Sequence, residues 1–140
     1  MKKYFILITV SVTAFAVLSF ISGIQKNVDQ DWNACIQKVN SKWGTQCEKC
    51  VEYKGYKRVF DDTYKVWLAN TCGEAVDVKC CVQEENKTWR CFFINGMGKK
   101  DTLEAYACKG TGKYLKWTKK AGDSEISFPS DEEVNEQYKD

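Results

Sequence analysis

Cys47 and Cys50 stand three apart in Gln46-Cys47-Glu48-Lys49-Cys50. That spacing can hold a metal, move electrons between thiol and disulfide, or supply two staple points to a loop. Each chemistry asks for a different setting. A redox pair of the thioredoxin type opens a helix at the end of a strand, where the helix N-terminus lowers the first thiol's pKa. Here Gly44-Thr45-Gln46 reads as a turn, no aromatic precedes Cys47, and no proline lies between the pair. A four-cysteine zinc site joins one such knuckle to a second, and the later cysteines, at 72, 80, 81, 91 and 108, contain none. Structural disulfides are therefore the expectation, with thiol–disulfide exchange through Cys47 and Cys50 as the alternative, and neither metal nor cofactor is expected.

The chain has 140 residues and no histidine. The missing imidazole removes Ser-His and Cys-His nucleophile pairs and every zinc site that needs one. Neighbouring acids at Asp61-Asp62 and Glu84-Glu85 lack a second set of oxygen ligands and read as solvated turns. No catalytic residue stands out, and a non-enzymatic binding or interaction module is the leading expectation, with a thiol–disulfide oxidoreductase using Cys47 and Cys50 or a structural component of an envelope assembly as the alternatives.

The eight cysteines are Cys35, Cys47, Cys50, Cys72, Cys80, Cys81, Cys91 and Cys108. Thiols oxidise outside the cytoplasm, and small domains use disulfides to offset a limited core. An even number predicts four bridges. In Val76-Asp77-Val78-Lys79-Cys80-Cys81-Val82 the alternation of a strand sends Cys80 inward with the valines and Cys81 to the other face. The two should have separate partners. Cys35 is expected to bridge to Cys47 or Cys50, joining an N-terminal helix to a β domain.

Aromatics make up 14 % of the chain, and most should be core. Trp67, Tyr114 and Trp117, with Lys116 among them, are the candidates for a solvent-facing platform. Rings on a sheet stack on sugar faces or anchor protein interfaces. The expected partner is thus a glycan or a protein surface. Lys109, Lys113, Lys116, Lys119 and Lys120 form a basic cluster, either a solvated strand edge or an anionic contact surface.

These residues have to be positioned by elements. The stripe Trp32, Cys35, Ile36, Val39 and Trp43 has helical spacing and predicts a helix over 31–42. Beyond it, period-two stretches predict strands at 56–60, 64–70, 76–83, 88–94, 102–108 and 113–119, punctuated by turn residues. The expected fold is mainly β, an antiparallel sandwich or barrel-like domain, disulfide-stapled, with one N-terminal helix. Ser130-Asp131-Glu132-Glu133 carries a capping box for a short helix.

Three regions follow. Residues 1–24 combine Lys2 and Lys3 with an uncharged apolar run, the pattern of a signal peptide or, if uncleaved, a membrane anchor over 5–24. Either places the rest outside the cytoplasm, whether secreted, periplasmic, extracellular or anchored. Residues 25–120 form the disulfide-rich domain and carry a net charge of +6, and 121–140 form an acidic tail of −6. The tail reads as a mobile, solubilising end or as a segment folded back over a basic face. The neutral whole argues against nucleic acid, whose binding needs an excess of Lys and Arg.

Overall fold

The computed structural model describes residues 30–50 and 59–139, and its elements all lie in the unit Asp31–Asp140. The expected export segment and most of the strand expected at 56–60 lie outside the described residues; Val59 and Phe60 are not in a strand. Among the described residues there are six strands: β1 (Ile36–Trp43), β2 (Tyr64–Asn70), β3 (Val76–Glu84), β4 (Trp89–Met97), β5 (Thr102–Ala107) and β6 (Gly110–Lys120). They build two three-stranded antiparallel sheets, ordered β1-β2-β5 and β4-β3-β6. The mainly β, antiparallel, disulfide-bonded architecture is as the residue pattern predicts.

The core lies between the sheets. Tyr64, Val66 and Leu68 of β2, with Leu103, Ala105 and Ala107 of β5, face Val76, Val78, Cys80 and Val82 of β3 and Met97 of β4. In β2, β3 and β5 every second residue contributes, because successive side chains point to opposite faces. Gly110 opens β6 against this core. A Cβ there would meet Tyr64 Cβ at 2.5 Å, so only glycine fits.

The N-terminal helix is not formed. Asp31 caps a single 3-10 turn, Trp32–Cys35, by accepting from Asn33 N–H at 3.0 Å. The chain then runs straight into β1, paired along β2. The apolar stripe fails as a helical face: Val39 is 55 % and Trp43 52 % exposed. A bulge between Lys38 and Asn40 inserts Val39 as an extra residue. It changes the strand's phase, which breaks the period-two signal and leaves a helix-like spacing.

The one α-helix among the described residues is at the other end, α1 (Asp131–Gln137). Its capping box is formed as expected: Glu133 N–H donates to Ser130 Oγ at 3.1 Å, and Ser130 N–H to Glu133 Oε2 at 2.7 Å. The helix lies on the outer face of the second sheet. Val134 is fully buried in a cluster with Cys81 and Trp89, against Cys91, Leu115 and Trp117. Trp89 N–H donates to Asn135 Oδ1 and its indole N–H to the Tyr138 carbonyl. The segment before α1 docks too, with Phe128 edge-on to Phe93 at 5.6 Å.

This cover explains β3, eight of whose nine residues are buried. Asp77 and Lys79 look like solvent-facing residues in sequence, but each is buried and partnered. Lys79 donates to Asp131 at 2.6 Å and to the Pro129 carbonyl. Asp77 accepts from Gly96 N–H and Gly122 N–H. A buried charge is tolerated only with such partners.

Three disulfides close the fold: Cys35–Cys72, Cys50–Cys108 and Cys81–Cys91. Four were expected, and the difference is that Cys47 and Cys80 are buried thiols. Cys80 points inward and Cys81 outward, as the alternation requires, and no bond joins them. Cys35 reaches neither Cys47 nor Cys50, because β1 runs away as a strand and leaves Cys35 beside the loop after β2. Three bridges suit an oxidising extracellular or periplasmic environment. Among the described residues, no helix is long and apolar enough to cross a membrane.

Candidate functional site

The two outer sheet faces differ. That of the second sheet lies under the C-terminal segment. On the first sheet, β2 presents Lys65 and Trp67 outward, and the antiparallel register sets them opposite Tyr106 and Glu104 of β5. The Glu104 carboxylate ties these together. Lys65 Nζ donates to one of its oxygens at 2.9 Å and Trp67 Nε1 to the other at 3.1 Å. One acid therefore fixes an ammonium and an indole side by side.

Next to this group is a cleft of about 640 Å³ between the 46–49 segment and the side chains of Lys65, Phe92, Glu104 and Tyr106. Phe92 and Tyr106 form its apolar wall, with ring centroids 4.9 Å apart. The Arg90 guanidinium covers the Tyr106 ring at 4.5 Å. Burial pushes the Tyr106 phenol above its ordinary pKa, more than Arg90 draws it down, and Cys47 adds to the rise. The hydroxyl stays protonated near neutral pH, able to donate as well as accept. The cleft thus offers aromatic surface, a phenol, an ammonium and a carboxylate within one concavity.

Cys47 contributes to the same cleft, 6 % exposed, and packs with Cys50 and Tyr106. Cys50 N–H donates to the Cys47 carbonyl at 2.9 Å, at the start of a 3-10 turn, Glu48–Cys50. Cys50 is bonded to Cys108, whose sulfur accepts from Arg90 Nη1 at 3.3 Å. Among the described residues, no three Cys, Asp or Glu side chains form a group able to hold a metal ion.

The platform residues read from sequence do not share a surface. Trp67 lies on the outer face of the first sheet. Trp117 is on the outer face of the second sheet, edge-on to Tyr138 at 6.1 Å. Tyr114 and Lys116 alternate to the opposite side of β6; Tyr114 packs on the central core, and Lys116 donates to the carbonyls of Asn33 and Ile36. Of the four, Trp67 alone borders the cleft group.

The basic cluster is likewise divided. Lys119 donates to the carbonyls of Asp123 and Ile126, and Lys120 pairs with Glu74 at 3.0 Å. Lys109 and Lys113 are exposed. The tail does fold back, but Lys119 meets its backbone carbonyls, and the carboxylate it offers from Asp131 goes to Lys79.

Arg90, Glu104 and Tyr106 gave no sequence signal of their own. Their importance rests on the register between β2 and β5 and on the approach of β4 to β5, which single-strand periodicity does not encode. Comparison with family models, with curated proteins and with solved structures finds no match.

Proposed function

We propose that this chain is an exported, non-enzymatic binding module that recognises a glycan through the outer face of its first sheet and the adjoining cleft. One observation carries the reading: the Trp67 ring, on a sheet face left open by the C-terminal segment, is immobilised by Glu104 beside the cleft. Sugar rings present C–H faces that stack on an indole, while their hydroxyls seek carboxylate, ammonium and phenol partners. Trp67, Glu104, Lys65 and Tyr106 supply that combination. A ring already fixed by a hydrogen bond loses little freedom on binding. Export is supported by the disulfides and by the basic start and apolar run of residues 2–24, as a signal peptide or an anchor.

The test is a glycan array followed by titration calorimetry of the hits. Trp67→Ala should weaken binding at least tenfold, and Glu104→Gln, which leaves the indole loosely held, by a smaller factor. Trp117→Ala should leave affinity unchanged. An array without hits, or binding indifferent to Trp67, would overturn the reading; capture of a protein partner through Trp67 would replace the ligand class.

A further inference from the structure

Three of the eight cysteines share one apolar cluster. Cys47, Cys50 and Cys108 pack with Phe60, Phe92 and Tyr106. Cys50 and Cys108 are bonded, and Cys47 is a thiol. The 3-10 turn that Cys47 leads into puts residues three apart on the same side, with a rise of about 2 Å per residue. A Cys47–Cys50 bond therefore falls within the Cα span a disulfide accepts. The second observation is Arg90, whose Nη1 donates to Cys108 Sγ at 3.3 Å. Its guanidinium is held in place over the Tyr106 ring.

A thiolate attacks a disulfide in the direction that frees the better leaving group. A permanent cation on one sulfur makes that sulfur the better one, because a charge-assisted hydrogen bond strengthens as thiolate charge develops. Of the three, only Cys108 is more than marginally exposed.

We propose that Cys47, Cys50 and Cys108 form a thiol–disulfide exchange site, with Cys47 as the internal attacking thiol and Arg90 holding the departing Cys108 thiolate. Cys47 gives its proton to water and its sulfur attacks Cys50 Sγ. The Cys47–Cys50 bond forms, the Cys50–Cys108 bond breaks, and its electron pair leaves on Cys108 Sγ under the guanidinium. Two sulfurs are bonded before and after, so no external oxidant or reductant is consumed. The exchange moves the reactive thiol from the buried 47 position to the partly exposed 108 position. There it can attack a disulfide of an exported partner, forming a mixed disulfide and releasing the partner's second sulfur as a thiolate. This chemistry does not use Trp67, so it stands or falls apart from the glycan reading.

The experiment is trapping with iodoacetamide on the native, unreduced protein at pH 8, followed by non-reducing tryptic mapping. Lys49 lies between Cys47 and Cys50, so a bond between them appears as two linked peptides. Expected is time-dependent carbamidomethyl on Cys108 together with the Cys47–Cys50 link. Cys47→Ser, which keeps the resting disulfide, should abolish both. Arg90→Gln should slow trapping about tenfold, and Arg90→Lys should restore part of the rate. Alkylation confined to Cys47 with Cys50–Cys108 intact would overturn the proposal. So would Cys108 labelling that is equal in Cys47→Ser, or a rate indifferent to Arg90.

Discussion

Cys47 and Cys80 are both thiols in a disulfide-rich domain, and their surroundings give them opposite chemistry. Cys47 packs beside a disulfide at the edge of a cleft. Cys80 is fully buried among the valines of β3, and burial pushes its pKa up to about 12, with Lys116 pulling weakly the other way. The thiolate is the reactive form, so Cys80 should resist iodoacetamide in the native protein. The same shift sets a pH dependence. Below its ordinary value near 9, Cys80 is protonated in both folded and unfolded chains and has no effect. Between about 9 and 12 the unfolded chain has lost the proton and the folded chain keeps it, so stability falls as pH rises. Tyr106 and Tyr114, also raised by burial, act in the same direction at higher pH, and Lys116, lowered by burial, opposes them. Urea unfolding of the wild type and Cys80→Val should show the wild type losing about 2–3 kcal/mol more between pH 9 and 11. Parallel losses would show that the thiol is not buried as described.

At the scale of elements, the decisive piece is the C-terminal segment. A seven-residue helix is too short to be stable alone, and α1 persists because Val134 inserts between Trp89 and its neighbours while Asn135 satisfies the edge strand's Trp89 N–H. Val134→Ala should cost about 2 kcal/mol, the range for removing two buried methylenes' worth of side chain. Val134→Asp should detach the helix and shift tryptophan emission to the red as Trp89 and Trp117 become wet. Urea unfolding followed by fluorescence reads both. An unshifted midpoint in Val134→Ala would mean that the helix contributes nothing to the cover. The strands at 64–70, 76–83 and 102–108 were legible because each alternates cleanly, and α1 because its capping box is local. β1 was not, because its bulge at Val39 destroys the alternation that identifies a strand. Glu104 and Tyr106 were readable as strand residues but not as site residues, because their partners Trp67 and Lys65 are about forty positions away.

At the scale of the whole molecule, the disulfides differ in what they constrain. Cys50–Cys108 spans 58 residues and Cys81–Cys91 spans 10. Loop-closure entropy grows with the logarithm of the span, so the longer bridge should stabilise by about 1.5 kcal/mol more. Replacing each pair with alanine in a Cys47→Ser background, where no thiol remains beside the longer bridge to close a new one, should give that order in urea unfolding. The reverse order would indicate that native packing around Cys81 and Cys91, under α1, outweighs chain entropy. The charge division also changes meaning at this scale. The tail is acidic and residues 25–120 basic, yet the docked segment is held by Val134, Phe128 and backbone carbonyls as well as by the Lys79–Asp131 pair.

The sequence by itself determined what nearest neighbours encode. Side-chain alternation set most strands and sent Cys80 and Cys81 to opposite faces. Ser130 and Glu133 set the start of α1, and the wealth of cysteine set the disulfide character. Tertiary structure decided the rest: that Cys50 joins Cys108 and leaves Cys47 a thiol, that Trp117 is covered while Trp67 is held by Glu104 beside a cleft, and that Arg90 meets the Cys108 sulfur. The physical reason is separation along the chain. Alternation and capping act over two to four residues, whereas a bridge, a strand register or a docked helix depends on which of many distant segments pack together, and that choice is made by the core as a whole.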